Sequence, residues 1–400
     1  VDPLPSIDLT GNLTDNLHEV LRQAARRGPL ARDETTGGVV LLRQKDVDLL
    51  AHDQRLHGIG LALFDMMGIT DGPLRDWYGR LMFTTEGDYH RRIRSLVARA
   101  FTPRSVGPLQ KAAAEMAAEA ITAVAPRGDL VAACSSLAAR LTCRLLGVPD
   151  GDVPLFARWA DALSPVFYVM TPDQIRNATV AIGELKSYVD DLTWRRTQDP
   201  GQDLITRLLH AEIDGERLSH EEAGVIISNL LVAGHDTTGS QIPCSILVVL
   251  QHRDEIGENL QDPTRLAWVA AETMRLEPSI PLIPRTAIAP IELHDTLIPA
   301  GSMVFLCIAA ACRDESAWRN PDLFDPDRFS SQTSPRLLNF GAGTHYCVGA
   351  HLAKLAVEES VRAVLDHVPT LRLGEDPKTI SWRRILGRSP TQLIVTAESP

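Results

Sequence analysis

The run from Ser219 to Gln251 constrains the fold most. Ser219-His220-Glu221-Glu222 has the S-x-x-E form in which a serine and a glutamate cap each other's backbone, and helical character continues from there to about Gln251. At helical rise this makes roughly 45 to 50 Å, enough to cross a whole domain, so the other elements must pack around it. Its middle breaks the rules of a plain helix. Gly234, Gly239 and Pro243 follow one another closely, and Pro243 removes an i to i−4 bond while pressing on the carbonyl of Gly239. The spacing predicts a local opening there. One reading is a packing kink in which Thr237 bonds back to the carbonyl of Ala233; the other is a gap in which small residues make room for a ligand.

A second stretch carries the chemistry. Phe340-Gly341-Ala342-Gly343-Thr344-His345-Tyr346-Cys347-Val348-Gly349 sets one cysteine in a glycine-rich loop, directly before an amphipathic pattern with apolar positions at Leu352, Leu355, Ala356, Val361, Val364 and Leu365. Cys347 therefore stands at a helix N-terminus. The helix dipole and free backbone N–H groups there are expected to lower a thiol pKa. Gly341, Gly343 and Gly349 carry no Cβ, so a large flat ligand can approach the backbone closely. A thiolate facing a flat cofactor points to a haem iron. The bland alternative is a small buried apolar cysteine. Zinc is a weaker competitor: His345 and Cys347 would be half a site, and Cys134, Cys143, Cys244, Cys307 and Cys312 form no CxxC or Cys/His pair to complete it.

The decamer resembles the haem-binding loop of the cytochrome P450 family, and other stretches agree with that family in order, from about Leu13 to about Val395. Ala233-Gly234-His235-Asp236-Thr237-Thr238 is similar to the oxygen-activation segment, and Glu272-Thr273-Met274-Arg275 to the ExxR pair. Asp327-Arg328-Phe329 is similar to the segment that supplies the third partner of that pair. His90 and Arg94 resemble the haem-propionate contacts, except that Asp88 stands where the family often has a proline.

The resemblance implies a mainly α fold with a minor β region, the cytochrome P450 (haem-thiolate) fold. It implies haem b (iron protoporphyrin IX) with Cys347 as the metal ligand, in a pocket involving Phe340, Gly341 and Gly349. His90, Arg94, Arg285 and His345 would then meet the propionates, charge-assisted bonds being suited to that task. Ala233 and Gly234 would leave room for dioxygen, and Thr237 and Asp236 would manage its protons, a threonine hydroxyl being able both to donate and to accept. Of the adjacent threonines, the motif selects Thr237. His235 receives no catalytic role. Glu272, Arg275 and Arg328 are read as a structural lock beside the cysteine loop.

Composition and pattern set the frame. No linker, low-complexity spacer or repeat of fixed period divides the 400 residues, so the whole span 1–400 reads as a single domain. A net charge of −11 argues against nonspecific nucleic-acid binding. Six unpatterned cysteines fit a reducing, cytoplasmic setting, and neither a signal-like stretch at Val1 to Asn12 nor a membrane-length apolar run appears. A soluble protein with no membrane insertion is expected, similar to the bacterial branch of the family. Helices are expected at Thr14 to Arg27, Ala112 to Val124, Asp129 to Leu146 and Val180 to Arg196. Strands are expected at Val39 to Leu42, in Pro281 to Ile308, at Leu371 to Leu373 and at Gln392 to Thr396.

Leu61 to Met67, Leu163 to Met170 and Leu282-Ile283 are the expected substrate-facing segments, which implies a hydrophobic small-molecule substrate; the alternative for each is ordinary core. With no G-x-G-x-x-G after a strand, electrons must come from another protein. Arg91, Arg92, Arg99, Arg104 and Lys354 make a basic patch, either a solvated face or a dock for an acidic ferredoxin served by its reductase. The expected function is monooxygenation, inserting one oxygen atom from dioxygen. The rivals are a peroxide-using peroxygenase of the same fold, which the Asp236-Thr237 pair argues against, and a non-enzymatic haem-thiolate protein that only binds a ligand.

Overall fold

A serine with glutamate three residues on does begin the long helix: Ser219 and Glu222 cap each other, Glu222 N donating to Ser219 Oγ at 3.1 Å and Ser219 N to Glu222 Oε2 at 2.9 Å. The computed structural model describes residues 4–9, 16–257, 262–384 and 387–397. The expected starts at Leu13 and Thr14 lie outside the described residues.

The principal helices are α1 (Leu17–Arg27), α2 (Pro73–Tyr78), α3 (Gly87–Ala100), α4 (Gln110–Ala123), α5 (Leu130–Leu146), α6 (Val153–Leu163), α7 (Pro172–Gln198), α8 (His220–Gln251), α9 (Pro263–Leu276) and α10 (Ala350–Asp366). Helix α7 begins eight residues before the expected Val180. A second capping box explains it: Thr171 and Gln174 satisfy each other, with Pro172 in the first turn where its missing N–H costs nothing. Helix α5 opens on Asp129, whose carboxylate accepts from Val131 N, and stops at Gly147, whose φ of 80° is left-handed.

A six-stranded sheet runs Ser6–Ile7 (β1), Leu30–Asp33 (β2), Val39–Leu41 (β3), then across to Met303–Cys307 (β6), Leu282–Ala287 (β5) and Leu56–His57 (β4). Strand β6 lies parallel to β3 and antiparallel to β5, so segments about 260 residues apart in sequence share one sheet. The expected strand run Pro281 to Ile308 divides into β5, β6 and a hairpin of Ile291–Leu293 with Thr296–Ile298. Arg372–Leu373, Ile394–Thr396 and Arg127–Asp129 form a small separate sheet. Near it, Trp382–Arg384 (β7) pairs antiparallel with Arg388–Pro390 (β8).

Helix α8 is the axis of the fold. From Ile226 to Leu250 every residue is buried except Ala233, Gly234 and Thr237. A helix apolar all round belongs inside a protein, and α5, α6, α7, α9 and α10 pack on it. The expected local opening is corrected: α8 runs unbroken through Gly239 and Pro243. Tertiary packing holds it, because a Cβ on Gly239 would stand 3.2 Å from Ser135 Cα of α5 and one on Gly234 would stand 2.7 Å from Thr142 Oγ1. Both glycines thus serve the close approach of α5.

Candidate active site

The three less buried residues in the middle of α8, Ala233, Gly234 and Thr237, face a cavity. It measures about 410 Å³ and has Ala233, Gly234, Thr237 and Thr238 in its wall together with Phe340, Gly341, His345, Cys347 and Gly349. The two motifs read from sequence, about a hundred residues apart, therefore meet at one space. Adjacent Thr237 and Thr238 both reach it, against the expectation that only one would. Thr237 Oγ1 donates to the Ala233 carbonyl at 2.6 Å, the local bond of the packing reading.

Asp236 turns elsewhere. Its Oδ2 accepts from Gly387 N at 2.8 Å and its Oδ1 lies 3.7 Å from Arg383, so the carboxylate faces the β7–β8 hairpin and is absent from the cavity wall. His235 leaves the helix on another side, with Nε2 3.0 Å from Asp161 of α6.

The cysteine loop is built by backbone bonds. Cys347 N donates to the Phe340 carbonyl and Gly341 N to the Leu338 carbonyl, each at 2.8 Å. Gly341 and Gly343 have φ of 67° and 64°, and a Cβ on Gly343 would meet Ala51 O at 2.4 Å, so only glycine serves at that position. Cys347 stands just before the N-cap Gly349 of α10 and is the exposed one of the six free cysteines, opening into the cavity while the others are buried. Although one side of the sulfur opens to the cavity, the protein packed around it desolvates the thiolate and pushes the thiol up; the Gly349 N–H and the Arg94 guanidinium oppose this without overcoming it. The expected lowering is corrected accordingly.

His345 Nε2 lies 2.9 Å from Glu86 Oε1, and its ring packs against His90 at 4.5 Å between centroids. Glu86, which also accepts from Gly58 N at 2.7 Å, was not foreseen. His90 is buried with Nδ1 lacking a partner among the described residues, and burial, helped by the nearby His345, lowers its pKa to about 4. Arg94 donates to the Tyr346 carbonyl. Neither His90 nor Arg94 lines the cavity; they stand behind the His345–Tyr346 segment. Arg285 does line it; among the described residues it donates only to the neighbouring Pro284 carbonyl at 3.2 Å, and burial lowers its pKa. A half-buried guanidinium with no ion pair among the described residues and a buried imidazole nitrogen with no hydrogen-bond partner among them are what a polyanionic planar group would satisfy, so the residues fit a haem with its carboxylates on this side.

The lock forms as expected. Arg275 Nε and Nη2 donate to Glu272 at 2.7 and 2.8 Å, Arg328 Nε joins at 3.1 Å, and both members of the first pair are wholly buried. Asn339 Nδ2 carries the support to the cysteine loop by donating to the Met274 carbonyl at 2.8 Å.

Of the expected substrate segments, Phe167, Tyr168, Leu282 and Ile283 reach the cavity. Leu61 to Met67 do not: Phe64 is core, stacked on Tyr78 at 4.4 Å, and Met66 is exposed. The wall includes Tyr78, Phe83, Phe101, Leu145, Asn229 and Gln241, which carry no local pattern that would have found them. The basic patch is also smaller than expected. Arg92 pairs with Glu222 at the start of α8 and Arg91 with Asp88, leaving Arg99 and Arg104 exposed.

The family model for cytochrome P450 matches residues 156–379. The chain is 33% identical over 378 residues to the cyclomarin C epoxidase CymV of Salinispora arenicola, covering 93% of each. It is 34% identical over 316 residues to the mycinamicin IV hydroxylase/epoxidase of Micromonospora griseorubida, covering 76% of this chain and 77% of that one. A solved cytochrome P450 from Chondromyces apiculatus superposes with a TM-score of 0.84 at 25% identity, over 99% of both chains. The chain belongs to the cytochrome P450 family, with that fold, and is a monooxygenase of this haem-binding family. Among the described residues no helix is long and apolar enough to cross a membrane.

Proposed function

We propose that this cytochrome P450 inserts one oxygen atom of dioxygen into a hydrophobic organic molecule, with haem b in the cavity and electrons supplied by a ferredoxin and its reductase. The observation that carries the reading is the Cys347 side chain opening into an apolar cavity shared with Ala233, Gly234 and Thr237, the less buried residues in the middle of α8. Bound there, the haem supplies the redox chemistry of dioxygen activation, for which a thiolate ligand is the electron-rich partner.

The chain's own residues divide the remaining work. Cys347 would be the thiolate ligand of the iron, its sulfur held by the Gly349 N–H and faced by Arg94. Phe340, Gly341 and Gly349 shape the floor, and the missing side chains at 341 and 349 let the ring approach. Arg285 and His345, backed by His90 and Arg94, hold the carboxylates. Ala233 and Gly234 keep α8 thin over the reacting centre. Thr237 exchanges its bond to the Ala233 carbonyl for a water in the cavity and positions a proton there. Asp236, buried against the hairpin beside Arg383, relays that proton from the outer side of α8. The span 1–400 acts as one domain in the cytoplasm. Arg99 in the last turn of α3 and Arg104 just beyond it offer the electron donor a basic face.

A ligand chosen by haem Soret changes from a library of neutral apolar compounds should be oxidised with ferredoxin, reductase and heavy-isotope dioxygen, and the product should carry one labelled oxygen. Product formed only when hydrogen peroxide is added would favour the peroxygenase reading. Tight binding with no product under either condition would favour a ligand-binding protein.

A further inference from the structure

One polar side chain in the cavity wall is held by the backbone of another segment. Gln241, one turn past Thr237 on α8, is buried, and its amide reaches the residues that link α9 to β5. Its Oε1 accepts from Ser279 N at 2.9 Å, while Nε2 donates to the Glu277 carbonyl at 3.0 Å and to Ser245 Oγ at 3.2 Å. Since a backbone N–H can only donate and a carbonyl only accept, the amide has one orientation here.

The brace falls where α8 is weakest. Pro243 gives the Gly239 carbonyl no N–H, so the helix is one bond short within a turn of Thr237. Gly239, pressed by Ser135 of α5, and Gln241 stand about 200° apart around the axis, so α5 and the amide grip α8 from opposite sides. The carbonyl of Thr237, which in a helix receives the N–H of Gln241, also lies 3.4 Å from Ser279 Oγ. Ser279 reaches further. Its own carbonyl accepts from Arg388 N at 2.7 Å, beside the Gly387 N–H that donates to Asp236. Leu282 and Ile283, three and four residues after Ser279, line the cavity with Thr237.

We infer that Gln241, acting through Ser279, is a positioning residue for the oxidation: it fixes the Thr237 turn of α8 against the Leu282–Ile283 wall. The hydroxyl that handles a proton and the wall that faces substrate then keep one register. This rests on the monooxygenase reading and adds two residues to it. Because the amide of Gln241 is already engaged, its loss should lower the yield of the reaction rather than the affinity for a ligand.

Gln241→Met keeps the side-chain length and removes the amide; Ser279→Ala removes the hydroxyl alone, and Ser279→Thr returns it. Hydrogen exchange of the holoenzyme, read by mass spectrometry, should quicken about 3- to 10-fold over residues 234–242 in Gln241→Met and Ser279→Ala and stay unchanged in α4. Imidazole titrated by Soret shift should bind within twofold of wild type in both. Product per electron consumed, from a neutral apolar ligand selected by its Soret change, should fall about 3- to 10-fold in both and recover in Ser279→Thr. Ser279→Ala serves if Gln241→Met fails to fold. Unchanged exchange over residues 234–242, faster exchange spread to α4, or unchanged coupling despite faster local exchange overturns the inference. A wild-type holoenzyme that forms no product, with the local exchange change still present in the variants, would instead count against the monooxygenase reading and leave the brace standing.

Discussion

Replacing Glu272 by alanine should be among the most damaging single changes in this chain. Its carboxylate accepts from Arg275 Nε at 2.7 Å, Arg275 Nη2 at 2.8 Å, Asp325 N at 2.8 Å and Arg328 Nε at 3.1 Å, with no solvent access. Its loss leaves the Arg275 guanidinium wholly buried, with only the carbonyls of Cys312, Pro321 and Leu323 and no counter-charge. Stranding one member of a buried pair costs about 3–5 kcal/mol. Taking both charges away, as in Glu272→Leu with Arg275→Met, removes the stranded cation and should cost less than Glu272→Ala alone. Urea unfolding followed by circular dichroism measures both. A cost below about 1 kcal/mol for Glu272→Ala, or a double variant less stable than the single one, would refute this account of the lock.

Thr237→Ala should leave ligand affinity nearly unchanged while product per electron consumed falls; unchanged coupling removes Thr237 from proton delivery. Burial alone would raise the Glu277 pKa, but His18 and the guanidiniums of Arg388 and Arg313 outweigh it and hold the carboxyl down to about 2. A depressed folded pKa stabilises above the ordinary value of 4.5 and is lost as pH falls toward 2, so the stability gap between wild type and Glu277→Gln should be flat above pH 4.5 and shrink below it. A gap independent of pH would contradict that. Arg99→Glu with Arg104→Glu should slow reduction by an acidic ferredoxin most at low salt and converge with wild type at high salt, since exposed charges are screened beyond roughly 8 to 10 Å. Equal rates at low salt would move the docking face elsewhere.

What the sequence disclosed was local. The Ser219–Glu222 box, the glycine loop around Cys347 and the Glu272–Arg275 spacing each lie within a few residues, and each forms as its chemistry requires. The break expected at Pro243 did not form, because Ser135 and Thr142 of α5 press on the very positions that looked weak. Residues joined across the chain stayed hidden: Glu86 meets His345 from 259 positions away, and Arg92 meets Glu222 from 130. Tyr78 gave no sign in the sequence, while Leu61 to Met67, read there as substrate-facing, does not line the cavity: Phe64 is core and Met66 is exposed. Spacing rules report neighbours on one element, whereas this cavity is assembled from loops and helices that only the fold brings together.

The most direct measurement of the central claim is the absorption of the reduced carbon-monoxide complex in wild type and in Cys347→His. Thiolate ligation by Cys347 requires a strongly red-shifted Soret band in the wild type and its loss in the variant, with haem still bound. The same red-shifted band in Cys347→His would contradict the assignment.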